Sequence, residues 1–430
     1  GFVNPFKQQG LGAKAEAVIT DIKETVRFIA NNSRALVASV DNSLWGNQGI
    51  QVLFNPRFTK IWAKDFLKSF SDIYQSLKGN GDAVLDATKA EIYSRPNSLN
   101  GRYDGQGSGR RLDIGTGEEE FPTSLPSRLG EIPVIRKIPI VKNIFGAAGR
   151  IFKAAEVAYE AGAMRLRADV ADKLYQMAEK TGVDLKDSVE VGSRNTLANS
   201  MTGRGFIGGS PSRGSLTNAV FFSVRFFKSQ LDFLTAHAFD PKVSTSAKAQ
   251  AAKNILYVIS TTAVILGIAK ALSDDPNYDP FDLISSDAGQ IKIGNSRISI
   301  ARYASIMVLI TRILTQSSKS TTTGKVYKLG ERDKKGQPKF GARTGLDVFW
   351  DFTENKFSPM FGILADLAKQ QTFDRSKPTL ANQTEAITTP MSIETAIELS
   401  KDKSNEALLD IILNGLNLSG FNVNTYPPKK

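Results

Sequence analysis

Apolar residues recur at three- and four-residue steps along most of this chain, the spacing that gathers them on one face of an α-helix. Ala15, Val18, Ile19, Ile22, Val26, Ile29 and Ala30 form one such stripe. A second helix is expected after Asn55 and Pro56, with Phe58, Ile61, Trp62, Phe66 and Phe70 on one side. A proline near a helix start lacks only an N–H that would have no partner there. The pattern predicts a long helix over 147–180, carried by Ile151, Ala154, Ala155, Ala158, Ala161, Leu166, Val170, Leu174 and Met177, with Gly182 placed to close it. Small residues dominate its first half and permit close approach by another helix. Further helices are expected around 221–239, 304–314, 346–352, 361–369 and 393–416, with Pro359, Pro378 and Pro390 between the later ones.

Two stretches break the helical period. Residues 94–130 are crowded with Gly, Pro and Ser and carry opposite charges at Arg110-Arg111 and Glu118-Glu119-Glu120, which reads as a solvated, protease-sensitive linker. If it is ordered, a neighbouring subunit is expected to hold it. Residues 291–300 alternate apolar and polar positions about Gly294-Asn295, a hairpin signature, and a hairpin needs a helical surface to pack on. The fold class that follows is mainly α: a multi-helix assembly with one small β-hairpin and long irregular loops. The organisation is a helical segment over 1–93, the linker 94–130, a central helical region over 131–272, a hairpin and basic loop over 273–345, and a C-terminal helical segment over 346–430 that ends in a frayed tail.

Residues 254–269 are uncharged between Lys253 and Lys270. At ~1.5 Å per residue they extend roughly 24 Å, short of a hydrocarbon core of about 30 Å. The expectation is a core helix covered by 304–314 and 221–239. The terminal lysines leave a membrane role open, because their long stems can reach an interface.

Charge and composition narrow the chemistry. The 430 residues carry Lys+Arg 55 against Asp+Glu 43, a net charge of +12, which favours polyanionic partners. The chain has no cysteine and one histidine, so disulfides, thiolate nucleophiles and multi-histidine metal sites are excluded. His237 sits among apolar residues and reads as a packing histidine; on a helix, only Asp240 would share its face. Gly203 to Gly209 match G-x-G-x-x-G, but no strand precedes them and no Lys-Ser/Thr follows, so they read as a plain loop. No catalytic, cofactor-binding or metal-binding residue is assigned, and no cofactor is expected. Basic residues such as Arg136-Lys137, Lys334, Lys335 and Lys339 match no recognition pattern, which points to non-specific contact with DNA. The opening GFVNPFKQQG has no secretory-signal pattern and no initiator Met, and excision from a longer polypeptide would account for the latter.

One phrase occurs twice. V-x-F-x-x-R-F-x-K begins at Val52 and again at Val220, placing Phe54, Arg57, Phe58 and Lys60 beside Phe222, Arg225, Phe226 and Lys228. An aromatic-rich helix follows each, with Asp65-Phe66-Leu67 in one and Asp232-Phe233-Leu234 in the other. The phenylalanines are expected to bury a loop-to-helix entry while Arg and Lys reach outward.

At these residues the sequence resembles the helical module of phage large polyvalent proteins. The order of phrases is similar over 54–65, 147–180, 195–209, 222–228, 254–269, 289–300 and 322–325, spanning 51–390, most of the chain. One departure is Val224, where the family phrase has proline. The resemblance implies a non-enzymatic internal virion or ejection protein of a tailed phage, packaged in the capsid and delivered with the genome. The implied partners are other virion proteins, the portal, further copies of itself, packaged DNA and the host membrane, in the capsid interior and later the host envelope. The alternatives are the scaffold region of a larger packaged enzyme, such as a virion RNA polymerase or cell-wall hydrolase, and a capsid or tail structural protein.

Overall fold

A computed structural model describes residues 44–114, 139–205, 224–301, 303–321, 323–331, 416 and 421–425. The expected helices over 13–30, 346–352, 361–369 and 393–415, the tail, and the glycine loop beyond Gly205 lie outside the described residues. Of the described region 60% is helical, and its strands are few and short, so the chain is mainly α.

After a π-helical turn, Leu44–Gln48, come α1 (Ile50–Leu53), α2 (Thr59–Gln75), α3 (Gly81–Tyr93), α4 (Pro96–Leu99), α5 (Pro139–Lys180), α6 (Ser188–Met201), α7 (Val224–Leu234), α8 (Thr245–Ala271) and α9 (Ala304–Thr315). Strands β1 (Gln290–Ile293) and β2 (Ser296–Ser299) form the expected antiparallel hairpin, with Ile293 opposite Ser296 and Gly294 at φ 58° in the turn. It is not the sole β element. β3 (Ser317–Lys319) pairs with β4 (Val326–Lys328) where a polar loop was expected, and β5 (Asn422–Thr425) extends the first sheet beside β2. Phe421 and Val423 are buried there, an apolar anchor too short to show a period.

Helix α5 is the spine. Helices α2 and α3 pack on it, and so does α6. Ala158, Ala161, Leu166, Val170, Ala171 and Leu174 are all buried, and small side chains let the neighbours come close. At Gly162 an added Cβ would lie 2.9 Å from the Trp45 ring, which itself meets Trp62 edge-on at 5.8 Å. The helix ends at Gly182, φ 77°, where L side chains are strained and glycine is not.

Helix α6 is polar, yet Val191 through Met201 are all buried. Burial of such side chains is tolerated only when their hydrogen bonds are made. Asn195 Nδ2 donates to the Arg102 and Arg110 carbonyls at 2.9 Å each, and Asn195 Oδ1 accepts from Tyr175 Oη. Asn199 Nδ2 donates to the Arg111 carbonyl (3.1 Å), and its Oδ1 accepts from Asp113 N (3.0 Å).

These bonds correct the linker expectation over the described part, 94–114. The segment is irregular, but its own chain holds it. Tyr103, Leu112 and Ile114 are buried, Tyr103 Oη donates to Asp172 (2.7 Å), and buried Arg110 reaches Asp240 (2.9 Å) and Thr196 (3.1 Å). Among so many Gly, Pro and Ser residues, a few anchors suffice because α5 and α6 supply the partners.

Two helix faces also differ from expectation. In α2 the buried stripe is Trp62, Asp65, Ser69 and Asp72, whereas Phe70, expected inside, is exposed. Asp72 is satisfied by Arg165 of α5, which also donates to Thr88 (3.2 Å). Helix α8 is longer than the apolar stretch suggested, and it is not covered all round. Its inner stripe, Ala247, Ala251, Asn254, Val258, Thr262 and Leu266, packs on α6, β1 and α7. Val258 shares a small core with Phe233, Ala301, Tyr303 and Ala304, so the expected neighbours are present but cover one side only.

Candidate functional site

The outer face of α8 is the most unusual surface in the described residues. Leu256, Val264 and Ile268 are 63%, 64% and 56% exposed, Leu272 follows at the helix end, and nothing lies within 4 Å of a Cβ placed at Gly267. Leu256 and Val264 are eight residues apart and Val264, Ile268 and Leu272 step by four, so they lie along one side of the helix. Lys253 and Lys270 bound it, with Lys270 paired to Asp279 at 3.0 Å. At ~1.5 Å per residue its 27 residues extend roughly 40 Å. Among the described residues it is the one helix long and apolar enough to cross a membrane, by length and composition.

The inner face is fixed from the helix start. Ser244 caps it, its Oγ accepting from Ala247 N at 3.2 Å. Ser244 and Ser246 hydroxyls donate to Glu190 of α6 at 2.7 and 2.6 Å, and Arg194 pairs with the same carboxylate. Burial works against the charge of Glu190, but these hydroxyls and Arg194 hold its carboxyl below the usual range. Further along, Asn254 meets Met201 (3.4 Å), and the Thr262 and Tyr303 hydroxyls bond each other. The polar partners face inward and leave the aliphatic side outside.

The first copy of the repeated phrase meets this surface. Phe58 is fully buried, Phe54 is half-buried against both core clusters, and Lys60 is exposed, as the pattern implies. Arg57 reaches across to α8. Its Nη2 donates to Tyr257 Oη at 3.0 Å, and its guanidinium lies 4.4 Å from the Tyr257 ring centroid. In the second copy, Phe226 and Lys228 are half-buried and Lys228 pairs with Asp232. Phe222 and the side chain of Arg225 lie outside the described residues.

No protein-family model, curated protein or solved structure matches this chain.

His237 is buried, but off any helix: α7 stops at Leu234, and Ala236 and His237 both adopt left-handed backbone, φ 47° and 56°. It faces a small cavity lined by Leu197, Ser200, Met201, Phe233, Ala251 and Asn254. Ser200 Oγ donates to the Leu197 carbonyl (3.0 Å) and so accepts from His237 Nε2–H at 2.9 Å. That is the reverse of the polarity needed to activate a serine nucleophile. Burial pushes the His237 pKa down to about 4, against the pull of Asp232. The ring is therefore held uncharged near neutral pH. No group of three or more His, Asp or Glu suited to a metal ion occurs among the described residues.

The sequence placed Asp65 in the helix after the repeated phrase but did not show that it is fully buried on the inner face of α2, with neither carboxylate oxygen hydrogen-bonded. Burial, then Asp169, pushes its pKa up to about 7, while Lys64, Arg165 and Arg95 pull the other way. The available signal was its position, three residues after Trp62 and four before Ser69 on the inner stripe.

Proposed function

We propose that this chain is a non-enzymatic internal virion protein of a tailed phage, carried in the capsid and helping the genome into the host, with α8 as the element that meets the host envelope. The observation that carries this reading is the bare aliphatic stripe of α8 between Lys253 and Lys270. An apolar stripe of this kind marks a surface that is covered by another apolar phase when the protein works. Anionic lipid fits both the stripe and its lysine ends. The net charge of +12 suits residence beside packaged DNA by non-specific attraction. The ordered resemblance to the polyvalent phage proteins supplies the setting.

Two measurements test it. Mass spectrometry should find the polypeptide in purified virions and find it depleted from particles that have ejected their DNA. Its absence from virions, or full retention in emptied particles, sinks the proposal. Flotation with vesicles rich in phosphatidylglycerol should recover the protein, and Val264→Asp should reduce that recovery without unfolding the chain.

A further inference from the structure

Helix α2 is apolar on two sides. Its inner face carries Asp65, Ser69 and Asp72 beside Trp62 and Phe66, and its outer face carries Leu67, Phe70 and Tyr74, followed by Leu77 in the π-helical turn Ser76–Asn80. Leu67 is 68% exposed and Tyr74 56%. Leu67, Phe70 and Tyr74 are spaced three and four apart, a single stripe along the helix that Leu77 follows in the turn. Lys60, Lys64, Lys68 and Lys78 flank the stripe and are exposed. Lys78 lies over the Tyr74 ring, 4.2 Å from its centroid, and Lys64 reaches Asp169 at 2.9 Å. The only acids on the helix are Asp65 and Asp72, both buried. The outer face therefore combines large apolar groups with lysines and offers no acid.

We infer that this face is a second lipid-binding surface, on which α2 and the turn after it lie flat against an anionic bilayer with Leu67, Phe70, Tyr74 and Leu77 at the acyl boundary and the lysines among the headgroups. A second copy fits poorly, because lysines would oppose lysines along the seam with no acid to pair them. Duplex DNA would satisfy the lysines but leave the apolar stripe in water. An anionic interface satisfies both sets, since lysine stems lie along the apolar surface while their ammonium groups stay at the headgroups. The start of α2 is also placed for this: Arg57, two residues before it, sits over Tyr257 on the outer side of α8. The inference rests on the lipid half of the function proposed above but uses a different helix.

The test uses the full chain. Because it contains no cysteine, Leu67→Cys provides a single attachment point for an environment-sensitive nitrobenzoxadiazole label on this face. With vesicles of phosphatidylcholine and phosphatidylglycerol the label should brighten severalfold and shift to the blue; with phosphatidylcholine alone it should change little. Phe70→Asn with Tyr74→Asn should weaken partitioning at least tenfold, and Lys60→Gln with Lys68→Gln should remove the dependence on phosphatidylglycerol, both with unchanged thermal melts. If the wild type floats and Val264→Asp abolishes it while the α2 variants float normally, the inference falls and the α8 reading stands. The converse pattern keeps the inference and removes α8. A label that responds to duplex DNA or to protein concentration instead of vesicles overturns the inference in favour of those partners.

Discussion

Helices α6 and α8 are packed against each other, yet each is placed against its composition. The polar α6, with Arg194, Asn195, Thr196, Asn199 and Ser200, is buried along almost its whole length. The apolar α8 leaves Leu256, Val264 and Ile268 in the open. The difference is one of partners. Every carbonyl that Asn195 and Asn199 reach belongs to the irregular part of 94–114 beyond α4, where turns meet only some of the backbone groups and polar α6 supplies donors to others. Helix α8 presents Asn254 and Thr262 to the same interior and leaves Leu256, Val264 and Ile268 outside, with Lys253 and Lys270 bounding that stretch. Burial here follows hydrogen-bond supply more closely than hydrophobicity.

The sharpest way to break this comparison is to place the same charge on the two sides of α8. Thr262→Asp puts an unpaired carboxylate at a fully buried position and is expected to cost on the order of 3–5 kcal/mol. Val264→Asp, two residues on, is expected to cost less than about 1 kcal/mol, the price of helix propensity at an exposed site. The exposure of Val264 separates its effect on folding from its effect on lipid association. Equal losses in chemical denaturation would show that the outer face is covered after all.

Next in size is Asn195→Ala on α6. It removes the Asn195 bonds to the Arg102 and Arg110 carbonyls and to the Tyr175 hydroxyl, leaving the Arg102 carbonyl with Gly105 N and Tyr175 Oη, for about 2–3 kcal/mol. The same variant should release 94–114, so trypsin should cut faster after Arg110 and Arg111 than in the wild type, where Arg110 is buried. Unchanged cleavage would mean that α6 does not hold the segment.

Asp65→Asn extends the comparison to α2. The folded-state pKa of Asp65 is raised to about 7, so between about pH 4 and pH 7 the folded state binds more protons than the unfolded one, and stability falls as pH rises. Glu156, pushed up to about 7 by burial and then by Glu160, acts in the same direction. The variant should match the wild type near pH 4 and exceed it by more than about 1 kcal/mol at pH 8, read by urea denaturation. A variant weaker than the wild type at pH 8 would show that the carboxylate has a partner.

His237 has the opposite sign and the smallest effect. Its pKa is lowered to about 4, so stability is lost as pH falls from about 6.5 toward 4, where the unfolded state takes up the proton first. His237→Leu should cost about 1 kcal/mol at pH 8 through the bond to Ser200, and the gap should close or reverse by pH 5. A gap that widens with acid would refute the burial argument.

Much of the helical framework was legible in the chain. The stripe of α5, the C-terminal Gly182 and the Gly294-Asn295 hairpin were visible because each depends on neighbours within a few residues. In the first copy of the repeated phrase, the expected arrangement of Phe58 inside and Lys60 outside was legible for the same reason. The docking of 94–114, the pairing of β5 with β2 and the burial of Asp65 and Asp72 on α2 were not. Each depends on a partner far along the chain, such as Arg165, which is 93 residues from Asp72, or Asn195, which is 93 from Arg102.

Local spacing by itself determined that the chain is mainly helical, where several helices run and where the hairpin turns, since backbone periodicity and turn chemistry act over a few residues. Only the tertiary structure decided which side of each helix faces inward. Asp72 could turn inward because a guanidinium from α5 meets it, and the aliphatic side of α8 was left outside because Met201 and Tyr303 claim the side that carries Asn254 and Thr262. A stripe of apolar residues states that a face is to be covered, but the arrangement of remote polar partners sets whether the protein covers it or leaves that to something else.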